Sequence, residues 1–482
     1  MRYAVPVNAA DEVAALAAAG AGELYVGFQD RWWVERYGDH DSMSRRQGRA
    51  NLSTTSELAE VVDAARAHGL PIWLALNSRY TEPQLDHLTE LCESFEHMGG
   101  TGVIASDLGL LWRLREGFGL ARCLSILAVA QNAATLAAFA RLGVSRVVLP
   151  RFMEPKEAKA LLSQAPDMEG EFMAFFDKCP WVDGYCRHRH GVTYLDREAP
   201  AGGDGAPELY AFDTTYHSHA CLGRACTYLE PYPCAACHLS AFDEAGARVA
   251  KLGGRGRPLD ERLRALHFLR EAEAMGSDAE RERLFRTTFG CACTCYYGAK
   301  AQDRRAIEPV SPPPWVSNET VAGSQTDPAG LHGVVADLLE GKLDGKHPAL
   351  LVPPLSQKDL AWLLEVLPEL CRACPNGLTL VVNDLGTLVS LTGIRQADST
   401  CAGLEIEPGT LLARSDDPRE VAHFLSPTEN PPRAVWGPDG EPRMLVYREP
   451  PATLARHWGH PSLFEPSAQA ALRKLTENAA SG

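Results

Sequence analysis

Cysteine is the residue type whose number and spacing in this sequence point most directly to chemistry. Nine of the 14 cysteines of the 482-residue chain fall between positions 179 and 295, a stretch in which an even distribution would place about three. These nine are Cys179, Cys186, Cys221, Cys226, Cys234, Cys237, Cys291, Cys293 and Cys295. Thiolates bind iron-sulfur clusters and zinc. The clustering therefore predicts an inorganic centre and favours iron-sulfur, with zinc and buried free thiols as the alternatives.

Two spacings within this region suggest separate metal sites. Cys234 and Cys237 have the two-residue spacing of a zinc knuckle, and four histidines lie in the same region, at His188, His190, His217 and His219. Cys291, Cys293 and Cys295 alternate, so in an extended segment they would share one face at intervals of about 6.5 Å. This second group predicts a further iron-sulfur cluster or zinc site, with Cys234 or Cys221 as a fourth ligand. A redox-active or purely structural group is the alternative.

Composition narrows the classes of partner. The net charge of -15 repels a phosphate backbone, so a small molecule or peptide is favoured over RNA as the substrate. No stretch approaches the about 18 uninterrupted apolar residues of a membrane helix, and the N-terminus lacks the apolar segment of a signal peptide. We therefore expect a cytoplasmic protein with no membrane partner, in a compartment that keeps its thiols reduced.

The elements that must position the cysteines follow the alternation of strands and helices that is typical of successive βα units. Short apolar runs predict eight strands, at 3–7, 23–26, 72–77, 102–105, 123–127, 146–149, 171–176 and 248–252. Amphipathic stretches between them predict the helices. Eight such units predict an α/β fold, a TIM-like (β/α)8 barrel within residues 1–307, whose reactive groups lie at the carboxyl ends of the strands.

The remainder of the chain is predicted to be an insertion, a linker and a smaller domain. The insertion at 179–247 carries six cysteines, and a loop of that length is usually functional or disordered. Residues 308–330 begin with a Pro-rich run that predicts a linker. Residues 331–482 predict a smaller, partial α/β domain, with strands at 349–352, 378–382 and 411–413 and a helix at 357–370. The remaining cysteines are expected to pack in the core.

Polar residues at the predicted strand ends are the candidates for catalysis. Asn77, Ser125 and Arg151 each fall at the end of a predicted strand or in the turn after it. Arg151 would bind a carboxylate through two parallel hydrogen bonds, or it pairs with a neighbouring glutamate. Asp107 and Asn132 stand at similar places, and for Asp107 a helix cap is the alternative role.

The end of the seventh predicted strand carries a signature. The run from Glu171 to Cys186 reads EFMAFFDKCPWVDGYC. It resembles the signature of the collagenase-like peptidase family U32, and the four residues that match its spacing are Glu171, Cys179, Gly184 and Cys186. Four positions depart from it: Met173, Phe176, His188 and Arg189 stand where the signature has Phe, Gly, an aliphatic residue and Ser.

Other segments resemble the same family in the same order. They are residues 22–27, 68–77 and 142–151, and in the second half 381–388 and 411–419, which suggest a partial repeat. Residues 251–255 read Lys-Leu-Gly-Gly-Arg and resemble the Lys-Ile-Glu-Gly-Arg end of the family's eighth strand. Gly253 therefore stands where the family has Glu, and a role for that carboxylate does not carry over to position 253.

The resemblance implies a TIM-like barrel and, for several members, an iron-sulfur enzyme that hydroxylates transfer RNA, ribosomal RNA or the ubiquinone ring without molecular oxygen. It implies prephenate as the oxygen donor of some members, and a protein partner of the same family. The ligands that it implies for a [4Fe-4S] cluster in this chain are Cys179, Cys186, Cys226 and Cys237, with Cys221 and Cys234 as substitutes.

We therefore expect an iron-sulfur-dependent, oxygen-independent hydroxylase-type enzyme that acts on a small molecule, a peptide or an RNA base. Two other functions stay open. One is a non-catalytic binding or assembly protein whose metal only holds the insertion together. The other is a peptidase with Cys179 as its nucleophile, which needs a nearby His base that no motif in the sequence identifies.

Overall fold

The chain forms two compact units. The computed structural model describes residues 1–37, 42–46, 50–177, 233–291, 294–297, 328–341, 349–352, 354–382, 384–408, 433–436, 442–447, 470 and 474–475. The first, here called the barrel unit, comprises residues 1–79, 83–127 and 143–308. The second unit comprises residues 80–82, 128–142 and 309–482. The division into a domain at 1–307, a linker at 308–330 and a domain at 331–482 stays a prediction.

Eight parallel strands close into a barrel in the first unit. They are β1 (Arg2–Pro6), β2 (Glu23–Gly27), β3 (Ile72–Leu76), β4 (Gly102–Ala105), β5 (Ala121–Leu124), β6 (Val144–Val148), β7 (Glu169–Phe175) and β9 (Val249–Leu252). Each strand pairs with the next, and β9 pairs with both β7 and β1, which closes the circle. Such strands are covered on both faces and are therefore apolar; all five residues of β3 are buried. The predicted TIM-like barrel is confirmed.

Ten helices are described in the first 291 residues. They are α1 (Val13–Ala18), α2 (Arg31–Tyr37), α3 (Thr55–Ala67), α4 (Glu82–Met98), α5 (Leu108–Arg113), α6 (Ala133–Ala140), α7 (Pro155–Leu162), α8 (Leu239–Glu244), α9 (Leu259–Glu273) and α10 (Asp278–Phe289). Local chemistry sets their starts: Thr54 and Glu57 form a reciprocal capping box at α3, which satisfies two free amides. Asp107 caps α5 by accepting from the amide of Leu110 at 2.8 Å. Among the described helices, none combines the length and the apolar character that a membrane crossing requires.

Two short strands extend the barrel sheet next to β7. β8 (Pro233–Cys234) pairs antiparallel with the end of β7 at Phe175, and β10 (Thr294–Cys295) pairs parallel with β8. Two tyrosine hydroxyls tie the residues after β10 to β7. Tyr296 donates to the carbonyl of Phe176 at 2.9 Å and Tyr297 donates to that of Met173 at 3.2 Å. The cysteine-bearing residues around 234 and 295 therefore lie beside the strand that leads to Cys179.

A mixed five-stranded sheet forms the second unit. Its strands are β11 (Ala349–Val352), β12 (Leu378–Val382), β13 (Leu404–Pro408), β14 (Arg433–Trp436) and β15 (Pro442–Tyr447), in the order β13-β12-β11-β15-β14. Its helices are α11 (Pro328–Leu339), α12 (Gln357–Ala373) and α13 (Leu385–Ala397), in addition to α6. The strands predicted at 349–352 and 378–382 and the helix predicted from 357 are confirmed. The strand predicted at 411–413 lies outside the described residues, and the sequence analysis missed α11, α13, β13, β14 and β15.

A buried carboxylate joins the first turns of α6 and α13. Asp384 caps α13 by accepting from the amide of Thr387 at 2.8 Å. It also accepts from the hydroxyl of Thr135 at 2.9 Å and from the side-chain amide of Asn132 at 3.2 Å. Asn132 itself caps α6. Asp107 therefore has the capping role that the sequence analysis held as its alternative, and Asn132, predicted only as a site candidate, also caps a helix.

Candidate functional site

The carboxyl ends of the eight barrel strands, here called the barrel mouth, carry the three residues predicted to be catalytic. Asn77 directly follows β3, Ser125 directly follows β5, and Arg151 lies three residues after β6. The side-chain oxygen of Asn77 is buried and has no hydrogen-bond partner in the part of the chain that the structure describes. Ser125 is buried, and its hydroxyl accepts weakly from the amide of Leu127 at 3.4 Å. The three residues lie at the edge where they were expected, and their catalytic roles stay predictions.

Four arginines at the barrel mouth, Arg46, Arg151, Arg255 and Arg257, are here called the arginine cluster. Arg46, Arg151 and Arg257 act on the carboxylate of Asp177, whereas Arg255 acts on the buried Tyr25 together with Arg46. Arg46 donates to Asp177 at 2.9 Å. The guanidinium carbon of Arg257 lies 4.6 Å from the ring centre of Phe176. Arg255 and Arg257 are each less than a tenth exposed. So much positive charge, in a chain that is acidic overall, makes this a place to bind an anion.

Asp177 is the residue on which these contacts converge, and the sequence analysis did not single it out. Its carboxylate is buried and accepts from the backbone amide of Gly254 at 2.7 Å. Burial alone would raise the pKa of Asp177, but the Arg46 and Arg257 guanidinium groups and the backbone amide hold it below its usual value. Asp177 is therefore charged at neutral pH. Two sequence features could have indicated Asp177: it lies two residues before Cys179, and an Arg-x-Arg sequence follows β9.

The backbone at the end of β7 is strained. Phe176 and Asp177 have φ angles of 61° and 51°, in the left-handed region that disfavours side chains with a Cβ. The family signature has Gly at the position of Phe176, and Gly adopts this conformation without cost. The Phe side chain compensates through burial, because its ring is fully buried against Phe175 and Arg257. Strain of this kind is concentrated at functional sites.

Two motif residues meet inside the barrel, below the mouth. Lys251 of β9 donates to Glu171 of β7 at 2.6 Å, and Arg146 of β6 approaches the same carboxylate at 3.4 Å. Arg146 also forms a bidentate pair with Glu23 of β2. Burial alone would raise the pKa of Glu171, but Lys251 and Arg146 lower it overall. Glu171 therefore ties three strands together rather than lining the opening. The neighbouring Cys123 is buried, as predicted.

The structure describes four of the nine clustered cysteines. Cys234 is buried in β8, Cys237 is exposed in the turn that follows, and Cys291 and Cys295 are half-buried. Cys179, Cys186, Cys221, Cys226 and Cys293 lie outside the described residues. β10 begins only at Thr294 and Cys291 follows the glycine that ends α10, so the described residues do not show one extended run from 291 to 295.

One thiol-imidazole contact lies among these cysteines. The sulfur of Cys295 is 3.3 Å from Nε2 of His238, and Cys295 is the register partner of Cys234 across the β8–β10 pair. Sequence reasoning missed His238, although it directly follows Cys237. Within the described ranges, no group of three or more His, Cys, Asp and Glu side chains is arranged to hold a metal ion. The predicted cluster ligands and the predicted second metal site therefore stay predictions.

Several solved structures show a distant likeness to this chain. The U32 peptidase Mk0906 aligns at 16% identity over 36% of this chain and 68% of that one, with a TM-score of 0.28. N-acetylneuraminate lyase from Mycoplasma synoviae aligns at 10% identity over 60% of this chain and 98% of that one, also with a TM-score of 0.28. TM-scores this low support no functional argument.

Sequence comparison is more specific. The chain is 29% identical over 126 residues to the tRNA hydroxylation protein P of Escherichia coli (strain K12), an alignment that covers 26% of this chain and 28% of that protein. The chain thus matches about a quarter of the length of this relative. The model of peptidase family U32 matches residues 8–287, which include seven of the eight barrel strands, β2 to β7 and β9, together with Glu171, the arginine cluster and the cysteine-rich insertion. This protein therefore belongs to peptidase family U32.

Proposed function

We propose that this chain is an iron-sulfur-dependent, oxygen-independent hydroxylase-type enzyme whose barrel mouth binds an anionic, prephenate-like oxygen donor. Membership of family U32 and the partial match to a tRNA hydroxylation protein support the reaction class. The acidic net charge favours a small molecule or peptide over RNA as the group that is hydroxylated.

The arginine cluster is the observation that carries the proposal. Arg151 follows β6, and Arg255 and Arg257 follow β9. Arg46 pairs with Asp177 at the end of β7, where the chain leads into the Cys179 segment. Arg255 and Arg257 are buried, and a buried guanidinium binds a carboxylate more strongly than an exposed one because water competes less. A dicarboxylate donor presents the two anionic groups that such a cluster recognises.

The cysteines fit a [4Fe-4S] cluster by their donor chemistry. Cys234 pairs with Phe175, four residues before Cys179, and Cys237 is exposed three residues further on. Thiolates are the usual ligands of such clusters. We propose Cys179, Cys186, Cys226 and Cys237 as ligands, with Cys221 and Cys234 as substitutes.

Each part of the site would have a separate task. When bound, the cluster would supply electron transfer or Lewis-acid chemistry. Arg151 and its neighbours would bind and orient the carboxylates of the donor. The Asn77 side-chain oxygen, an acceptor without a partner in the described part of the chain, would accept a hydrogen bond from a hydroxyl group. Ser125, which follows β5, would contribute a hydroxyl contact.

Anaerobic purification followed by an absorption spectrum and iron and sulfide assays tests the cofactor. We expect a brown protein with a broad band near ~400 nm. Cys179→Ala and Cys186→Ala should lose iron and sulfide, while Cys371→Ala, in the second unit, should keep both. A colourless protein that contains zinc would contradict the proposal and favour the non-catalytic alternative.

Titration calorimetry with prephenate tests the anion site. Arg151→Ala should weaken binding about tenfold or more, since a charge-assisted hydrogen bond to a carboxylate contributes about 1.5–3 kcal/mol. Arg66→Ala is the control, because Arg66 is an exposed helix residue paired only with Asp63 in the described contacts. Equal affinities of the Arg151 and Arg66 variants would show that the arginine cluster does not bind the donor.

A further inference from the structure

Asp177 and position 253 compete for the same space at the barrel mouth. A Cβ built on Gly253 would lie 2.6 Å from Oδ2 of Asp177 and 2.9 Å from its carboxyl carbon. Real Cβ atoms do not approach other heavy atoms so closely. Because the Asp177 carboxylate occupies this space, position 253 accommodates Gly and no residue with a Cβ.

The backbone on both sides is shaped to bring this carboxylate inward. Asp177 and the residue before it have left-handed φ angles, and Gly254 has a φ of 83°. The Gly254 amide donates to Asp177 at 2.7 Å, and Arg46, whose side chain is 17% exposed, donates at 2.9 Å. Two non-glycine residues in the left-handed region cost about 1–2 kcal/mol each. The fold retains this strain, which burial of the Phe176 ring and the contacts of the Asp177 carboxylate offset.

We propose that Asp177 is a positioning residue of the barrel mouth, which supplies from β7 the carboxylate that the family motif supplies from position 253 after β9. Its task is to hold the Arg46 guanidinium in place for the anionic donor. The proposal rests on the proposed function insofar as the arginine cluster binds that donor. It explains why Gly253 and Asp177 occur together in this chain: the carboxylate has been moved to the neighbouring strand end.

Prephenate binding by Asp177→Asn tests the positioning role. This substitution removes a negative charge from an anion site, so a residue that only neutralises charge would, on removal, leave affinity unchanged or raise it. A positioning residue predicts the opposite sign, a loss of about tenfold, because the guanidinium is no longer held. Unchanged or tighter binding by the variant would overturn the positioning role.

Thermal unfolding of Gly253→Glu, Asp177→Ala and the double variant tests, without any ligand, whether side chains at positions 177 and 253 compete for the same space. Gly253→Glu should lower Tm markedly in the wild-type background. In the Asp177→Ala background the same change should cost at least about 4 °C less, because the Asp177 carboxylate no longer occupies the space beside position 253. Equal losses of Tm in both backgrounds would show that the two positions do not compete. A wild type that fails to bind prephenate contradicts the proposed function of the cluster, and the unfolding cycle still decides whether the two positions compete.

Discussion

Glu171 shows that a signature residue can act inside a barrel rather than at its opening. Its carboxylate is 1% exposed and contacts Lys251 and Arg146. Removing one partner of a buried ion pair leaves the others charged and uncompensated. Glu171 therefore fixes the relative positions of β6, β7 and β9, whose ends carry Arg151, Asp177 and the Arg255–Arg257 segment.

Glu171→Gln should destabilise the protein by about 3–5 kcal/mol at neutral pH, since it leaves the buried Lys251 charge without its carboxylate and removes one of the carboxylates that contact Arg146. Urea unfolding followed by circular dichroism measures the loss. Glu169→Gln is the control: Glu169 also contacts Arg146, but its side chain is 31% exposed, so water replaces part of the interaction. Equal losses for the two variants would contradict the buried role.

The contacts of Glu171 also make the stability of the protein depend on pH. The folded pKa of Glu171 lies below the ordinary value of 4.5, so its contribution to stability is complete above that pH and is lost as the pH falls through the folded pKa. Urea midpoints between pH 7 and pH 3 should therefore show the difference between wild type and Glu171→Gln narrowing only below about pH 4.5. A difference that is constant over this range would contradict the assignment.

At the scale of the element, the end of β7 combines strain with burial. Both Phe176→Ala and Phe176→Gly remove the ring. The Ala variant still places a residue with a Cβ in the left-handed conformation, whereas the Gly variant relieves that strain. We expect the Gly variant to be more stable than the Ala variant by about 1 kcal/mol, measured by urea unfolding. At Phe175, inside the extended strand, the order should reverse, because Gly is ordinarily less stable than Ala. If the Gly variant were more stable than the Ala variant at both positions, or less stable at both, the backbone at Phe176 would not be strained.

The periodicity of apolar residues predicted most of the barrel strands and helices. Two of the elements that it missed, β13 and α13, show why. β13 reads Leu-Glu-Ile-Glu-Pro, where two glutamates and a terminal proline make the apolar signal weak. α13 contains two glycines and two threonines, which have low helix propensity. It begins at the Asp384 cap and packs its buried face in the second unit. Tertiary contacts, which no local pattern reports, stabilise both elements.

The candidate site was predictable only in part for a related reason. Asn77, Ser125 and Arg151 follow from the rule that barrel strands carry reactive groups at their carboxyl ends. Asp177 and its partner Arg46 are 131 residues apart, and His238 meets Cys295 across 57 residues. Pairings of this length depend on barrel closure and on sheet register, which the sequence pattern does not specify.

At the scale of the whole molecule, the second unit is assembled from separate parts of the chain. Residues 128–142, which include α6, belong to it together with 309–482. Asp384 accepts hydrogen bonds from Asn132 and Thr135 of that earlier segment. The later residues alone would therefore leave a buried carboxylate without two of its donors.

We expect a fragment of residues 309–482 to unfold without cooperativity, because it lacks α6 and the donors to Asp384. Circular dichroism on heating measures this. The control is the same fragment with residues 128–142 fused through a flexible Gly/Ser linker, which should regain a cooperative transition. A sharp transition of the fragment alone would show that α6 is dispensable.

The crowding between positions 177 and 253 also constrains how related sequences can diverge. A chain with an acidic side chain at both positions must place two carboxylates in one volume, and a chain with neither loses the ion pair that Arg46 forms with Asp177. Either intermediate carries a cost in stability, so a lineage crosses between the two arrangements by paired substitutions. Homologues aligned on this barrel should then show an acid at one of the two positions and a small residue at the other.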